Sequence, residues 1–107
     1  MSMQRFTIPS VPTDIGATLA ASEVIDLRSF GGGMVHILSG VGLTTLTWYS
    51  CTTSDGTFLP VQDGVGTAVT STVAPSQACM IPAACFASAF LKAVGNVAAV
   101  ADVTLKG

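Results

Sequence analysis

Residues 43–61, LTTLTWYSCTTSDGTFLPV, contain the pattern that decides the fold class. The first half is rich in β-branched and aromatic residues, which favours a strand. Asp55-Gly56 follows it, and a second apolar stretch begins at Phe58. An Asp-Gly pair between two such stretches is typical of a β-hairpin turn. The segment therefore predicts two antiparallel strands joined by a tight connection.

Trp48 is the only tryptophan of the chain, and the alternation around it predicts where it lies. Successive side chains of a strand point to opposite faces, so Leu46 and Trp48 share one face and Tyr49 lies on the other. A sugar platform built from Trp48, Tyr49 and Phe58 would need the first two rings on one surface. We therefore predict that Trp48 anchors the core.

The segment EVIDLRSF, residues 23–30, is the first strand predicted upstream. Its alternation places Ile25 and Leu27 on one face of the strand and Asp26 and Arg28 on the other. The glycines at 31–33 predict a sharp reversal or a bulge. Residues 34–39, MVHILS, then predict a second strand with His36 on the face opposite to Val35 and Ile37.

Short strands and turns alternate in the rest of the chain as well. A turn is predicted at QDGVG, residues 62–66, and strands at residues 67–73 and 77–81. Pro82 is predicted to open a helical turn that plugs one end of the fold. The last two strands form a closing pair around Gly95-Asn96. About eight short strands predict an all-β fold, an antiparallel two-sheet sandwich that is jelly-roll-like, over residues 23–107.

Residues 1–22 predict an extended N-terminal arm. Pro9 and Pro12 favour extended backbone at the residues before them. Phe6, Ile8 and Val11 make the segment too apolar for ordinary disorder. The arm is expected to lie on its own domain or on a neighbouring subunit, and the sequence leaves both open.

The composition predicts a surface that is partly covered. The chain has 107 residues, of which only 9% are Asp, Glu, Lys or Arg, against about a quarter in ordinary proteins. Small and apolar groups must therefore occupy much of the surface, and large apolar patches normally mark interaction sites. Copies of the chain or another partner are expected to cover them; a surface made neutral by Ser, Thr, Gly and Ala is the alternative.

Charge and hydropathy argue against two classes of partner. Arg5, Arg28, Lys92 and Lys106 are scattered singly and give no basic stripe for nucleic acid. No apolar run approaches the roughly 20 residues that span a bilayer, and the first twelve residues lack the apolar core of a signal peptide. We expect no nucleic-acid partner, no membrane partner, and synthesis in the cytoplasm without export.

The residues that could support catalysis or hold a metal are few. His36 is the only histidine, and Cys51, Cys79 and Cys85 lack the spacing of a zinc site. The cysteines are predicted to be buried thiols, with a bridge between Cys79 and Cys85 left open. We predict no enzyme, no metal and no cofactor.

Asp55 and Asp63 each precede a glycine, and turn chemistry explains them. The alternative is that their loops converge with Tyr49 to hold a glycan or calcium.

Two segments resemble small virion proteins of tailed bacteriophages. The stretch LTWYSCTTSDGTFLPVQD, residues 46–63, is similar to their strand, Asp-Gly turn and Phe-x-Pro return. The end of the chain, FLKAVGNVAAVADVTLKG, is similar to their closing hairpin. Discoidin-like carbohydrate-binding sandwiches share such closing strands, and the three cysteines depart from the phage pattern. The resemblance implies a structural protein that decorates or cements a capsid, or one that belongs to a tail or fibre.

We therefore expect a virion protein that is a homo-oligomer, with a trimer as the expected symmetry, and that contacts the major capsid protein. The alternative is a carbohydrate-binding module of a tail or fibre, using Tyr49, Asp55 and Asp63. Two segments are predicted to contact partners: the arm, and an exposed apolar segment at residues 79–90. The contact residues are Phe6, Ile8 and Val11 in the arm, and Met80, Ile81, Phe86 and Phe90 in the apolar segment.

Overall fold

The structure is a computed structural model that describes residues 11–19, 21–28 and 30–106. These residues form strands and one 3₁₀ helix, with no α-helix among them. The elements are β1 (Val11–Ile15), β2 (Ile25–Asp26), β3 (Gly32–Ser39), β4 (Thr45–Cys51), β5 (Leu59–Pro60), β6 (Thr70–Thr72), β7 (Ala78–Met80), the 3₁₀ helix (Ala83–Ala87), β8 (Phe90–Gly95) and β9 (Ala99–Lys106). The prediction of an all-β fold is confirmed.

The strands form two antiparallel sheets. The four-stranded sheet has the order β1-β9-β3-β7. The five-stranded sheet has the order β2-β8-β4-β5, and β6 also pairs with β4. Strands β5 and β6 lie end to end on the same edge of β4, because β5 pairs with Tyr49 and Ser50 while β6 pairs with Thr45–Thr47.

Alternating side chains of the two sheets fill one core. In β3, Val35 and Ile37 are buried while His36 is exposed. In β4, Leu46 and Trp48 are buried with no exposed surface, so the predicted role of Trp48 as a core anchor is confirmed. The core cluster is Ile15, Ile25, Leu27, Val35, Ile37, Leu43, Leu46, Trp48, Val73, Ile81, Cys85, Leu91, Ala93, Ala99, Ala101, Val103 and Leu105.

The indole of Trp48 has a polar partner inside this core. Its Nε1–H donates to Ser71 Oγ at 2.9 Å. A buried indole N–H without an acceptor would be costly. More generally, every buried side-chain nitrogen or oxygen of the described residues has a hydrogen-bond partner.

The predicted N-terminal arm is in part a strand of the sandwich. Val11–Ile15 pair with Val103–Ala99 of β9, and Ile15 belongs to the core. The described residues from Val11 onward therefore lie on their own domain, one of the two possibilities that the sequence left open, and a domain boundary after residue 22 does not separate them from it. Phe6 and Ile8 lie outside the described residues.

Two local predictions differ from the structure. Gly32 and Gly33 are the first residues of β3, where a reversal or bulge was expected. The closing pair around Gly95-Asn96 is wrong, because β8 lies in the five-stranded sheet and β9 in the four-stranded one. The predicted antiparallel pairing on the two sides of Asp55-Gly56 is confirmed for β4 and β5, but the connection spans residues 52–58 and is longer than the tight turn expected.

Asn96 ties together two connections between the sheets. Its Oδ1 accepts hydrogen bonds from the N–H of Thr44 and of Thr45, at 2.9 and 3.2 Å. Its Nδ2 donates to the carbonyl oxygen of Gly42 at 2.9 Å. These bonds fix the β8–β9 connection against the β3–β4 connection.

A 3₁₀ helix follows Pro82, as the predicted helical turn did, and it packs against the core. Cys85 of this helix is completely buried and packs in the core cluster. Phe86 is half-buried against the same cluster.

Candidate interaction surfaces

The outer face of the five-stranded sheet is partly covered by the chain itself, since the outward side chains of β4 are half-buried. Phe58 and Phe90 are buried there without belonging to the core cluster. The Arg28 guanidinium lies 4.9 Å from the centre of the Phe90 ring, and Lys92 Nζ lies 4.9 Å from that of Phe58. Lys92 Nζ also donates to the Leu19 carbonyl oxygen at 3.1 Å. Loops from both sides therefore shield this face.

The outer face of the four-stranded sheet is bare by comparison. Met34, His36 and Leu38 of β3 point outward and are exposed. Met80 of β7 lies beside Met34 in register and is 72% exposed. Val100 of β9 adds a further exposed apolar side chain. His36, Asp102 and Lys106 also lie on this face, and its exposed methionine, leucine and valine side chains make it a candidate interaction surface.

A groove crosses one end of this bare face. It has a volume of about 320 Å³ and is lined by Gly32, Gly33, Met34, Met80, Thr104 and Lys106. Gly32 opens the groove because it supplies no side chain, and a Cβ placed there would meet no other atom within 4 Å. Lys106 pairs with Gly32 across β9 and β3 and thus lies at the rim.

A hairpin projects from the opposite sheet, and we call residues 61–69 the finger. Its two ends bond to the backbone of Trp48: the Val61 N–H donates to the Trp48 carbonyl, and the Trp48 N–H donates to the Val69 carbonyl. Residues 62–68 are all exposed. Val65 at the tip is 86% exposed.

The turn of the finger is held by Asp63. Its Oδ1 accepts hydrogen bonds from the Val65 N–H at 2.9 Å and from the Thr67 N–H at 3.0 Å. The bond from Thr67, followed by that from Val65, lowers the pKa of the Asp63 carboxyl. Gly66 has φ of +84°, a value that glycine adopts without strain. Asp63 therefore has the turn role that the sequence predicted.

The residues predicted to hold a glycan or calcium fall on different elements. Tyr49 is half-buried on the outer face of β4, paired with Pro60 and Lys92. Asp55 is exposed in the β4–β5 turn, and Asp63 lies in the finger. Among the described residues, no three His, Cys, Asp or Glu side chains gather where they could hold a metal ion.

The predicted apolar contact segment is exposed only in part. Met80 is exposed, and Phe86 is half-buried. The expectation of exposure is wrong for Ile81, which packs in the core, and for Phe90, which the Arg28 guanidinium covers. Alternation explains the difference, because Ile81 follows the outward-facing Met80 and points the other way.

Val11, predicted as an arm contact, begins β1 and pairs with Val103 of the same chain. The contact role of Phe6 and Ile8 stays a prediction, since both precede the described residues.

The three thiols differ in exposure. Cys85 is buried, and this burial raises the pKa of its thiol to about 11. Burial also raises the pKa of the half-buried Cys79. Cys51 is half-buried on β4, with its Sγ 3.8 Å from the Thr53 hydroxyl. All three are free thiols, so the bridge left open between Cys79 and Cys85 is not formed.

Sequence reasoning missed Met34, Gly32 and Lys106 as surface residues that belong together. Lys106 is far from Gly32 and Met34 in the sequence, and only the pairing of β3 with β9 brings the three side by side. A local signal did exist for Met34, because it alternates with the buried Val35 and so must face outward. The finger was predicted only as a turn, although Val65 between two glycines indicates an exposed apolar tip.

Comparisons of the chain with protein-family models, with curated proteins and with solved structures find no match. Within the described part of the chain, no helix has the length and apolar character needed to cross a membrane.

Proposed function

We propose that this chain is a virion structural protein that decorates or cements a bacteriophage capsid. In this proposal, copies of the chain contact one another and the major capsid protein. The proposal rests on the strand pairing, on the bare apolar sheet face, and on the sequence resemblance to small phage virion proteins.

The observation that carries the proposal is the nesting of the strand pairs. We propose that the sandwich is a jelly roll in which β5 and β6 are two halves of one interrupted strand. An eight-stranded jelly roll pairs its first strand with its last, its second with the last but one, and so on, until the two middle strands pair with each other. The pairs β1 with β9, β2 with β8, β3 with β7, and β4 with β5 and β6 follow that order. Jelly rolls are common in viral capsid and lectin domains.

The surface supports an assembly role independently of the fold. One sheet face is shielded by loops, while the other exposes Met34, Leu38, Met80 and Val100. Only 9% of the residues are charged. Covering such a face with a partner removes apolar surface from water, which favours association. Capsid symmetry repeats each such contact many times.

The proposal also gives a contact role to the residues before β1. In this proposal Phe6 and Ile8 contact a neighbouring copy or the capsid within a trimer about a local symmetry axis. Replacing both by Ser would then weaken assembly and leave the stability of the sandwich unchanged.

The test of the proposed function is to ask where the chain is found in a phage lysate. Particles are purified on a density gradient from a lysate that contains the chain, and an antibody against the chain carries gold for electron microscopy. We expect the chain to band with the capsid protein and the gold to label heads. Gold on tails alone would favour the tail or fibre alternative. A chain that stays at the top of the gradient would refute a virion role.

A further inference from the structure

The finger and the groove are complementary in shape and in hydrophobicity. The finger presents an isolated apolar side chain, Val65, at the tip of a turn that Asp63 holds in place. The neighbouring Met34 and Met80 give the groove an apolar lining, and it is deepened where Gly32 lacks a side chain. Its volume of about 320 Å³ can receive a valine side chain together with part of the turn that carries it.

The charges at the two places are also complementary. Of the three lysine and arginine side chains in the described residues, Arg28 pairs with Asp26 at 2.8 Å, and Lys92 donates to Leu19. Lys106 has no such partner within residues 11–19, 21–28 and 30–106. At the finger, Asp63 uses Oδ1 for its own turn. Within the described residues, no lysine or arginine forms an ion pair with the Asp63 carboxylate.

We propose that the finger of one copy docks into the groove of a second copy of this chain. Val65 enters the groove over Gly32, beside Met34 and Met80, and the Asp63 carboxylate faces the Lys106 ammonium at the rim. The inference rests on the proposed function in one respect, because it names the contact that joins copies in the homo-oligomer.

The contact is heterologous, since the finger and the groove are different surfaces of the same chain. Head-to-tail contacts of this kind close into a ring when the rotation between copies permits it. A contact made by one turn is small, and each copy of a ring makes two of them. Ring closure therefore strengthens an association that is weak in a single pair.

Two substitutions separate the finger from the groove, and each has a matched control. Val65→Ser removes the apolar tip, and its control is Val41→Ser at the other highly exposed valine, which is 97% exposed. Gly32→Val fills the groove, and its control is Gly31→Val. A Cβ at either glycine meets no atom within 4 Å, and Gly31 does not line the groove. The four variants are expected to fold.

The measurement is molar mass by sedimentation equilibrium over a hundredfold range of concentration. We expect the wild-type chain and both controls to associate. Val65→Ser and Gly32→Val are each expected to raise the dissociation constant by more than about tenfold, the effect of losing one well-buried valine contact. Asp63→Asn keeps the acceptor oxygen of the turn but removes the charge. It should raise the constant by about two- to fivefold, the usual range for an exposed ion pair.

A mixing experiment identifies the contact as heterologous. Val65→Ser retains an intact groove, and Gly32→Val retains an intact finger. An equimolar mixture of the two should therefore form a species with the mass of two chains, at concentrations where each alone is monomeric. A face-to-face contact between two copies of the bare sheet would give no such recovery.

The inference is overturned if the wild-type chain is monomeric throughout, if either variant associates like its control, or if the mixture gives no dimer. These results leave the virion proposal standing when the gold label is still found on particles. Conversely, a chain that associates through the finger but is absent from particles would refute the virion role and keep the contact.

Discussion

Trp48 illustrates how a core side chain can depend on one distant hydroxyl. The ring fills the centre of the sandwich with no exposed surface, and its only polar atom reaches Ser71 on β6. Strand β6 has three residues and, among the strands that the structure describes, pairs only with β4. The hydrogen bond to Trp48 therefore also helps to hold this short strand in place.

Replacing Ser71 by Ala should destabilise the fold by about 1–3 kcal/mol, because the buried indole N–H would lose its acceptor. The free energy of unfolding can be measured by urea denaturation, with the fluorescence of the single tryptophan as the probe. Thr72→Ala on the same strand is the control, since Thr72 is exposed; its effect should stay within about 0.5 kcal/mol. Equal stability of the two variants would show that the indole bond contributes little.

At the scale of the strand, neighbouring glycines of β3 have opposite requirements. A Cβ at Gly33 would lie 2.8 Å from Leu105 Cδ2 and 2.9 Å from the Thr104 carbonyl oxygen. Gly33 therefore permits β3 and β9 to approach closely. Gly32 faces the open groove and has no such constraint.

We expect Gly33→Ala to destabilise the fold by about 1–3 kcal/mol through overpacking. Gly32→Ala should be neutral or stabilising by up to about 1 kcal/mol, because it reduces the freedom of the unfolded chain. Thermal unfolding of the two variants side by side tests the difference. A larger loss of stability for Gly32→Ala than for Gly33→Ala would contradict the assignment of Gly32 to the open face of β3.

The sequence predicted those features of the elements that depend on near neighbours. The faces of β3 and β4 and the turn at Asp55-Gly56 follow from alternation and turn chemistry, which act within a few residues. The partner of a strand is a non-local property. Gly95-Asn96 has the composition of a hairpin turn, yet the strands on its two sides enter different sheets. The groove escaped prediction for the same reason, since it forms only when β3, β7 and β9 meet.

For the whole molecule, the contribution of β1 decides where the chain can be shortened. Residues 11–15 supply five residue pairs to β9, and Ile15 packs in the core. Residues 1–10 precede that strand. The boundary that matters for stability therefore lies before Val11 and not at Glu23.

A chain that starts at Val11 should unfold at nearly the same temperature as the full chain. One that starts at Glu23 should be largely unfolded, since the loss of Ile15 alone removes about 2–5 kcal/mol from a total of about 5–15 kcal/mol. Circular dichroism during heating measures both. A stable fold without β1 would contradict the proposed importance of its pairing with β9.

The central position of β9 bears on how the protein is made. This strand lies between β1 and β3, so these two strands are not joined in one sheet until residues 99–106 have been synthesised. Until then, β1 and the edge of β3 that β9 will occupy are unpaired. Unpaired strand edges promote pairing with other chains. The fold should therefore form only after β9 has been synthesised, and slowly, as is usual for long-range β pairing.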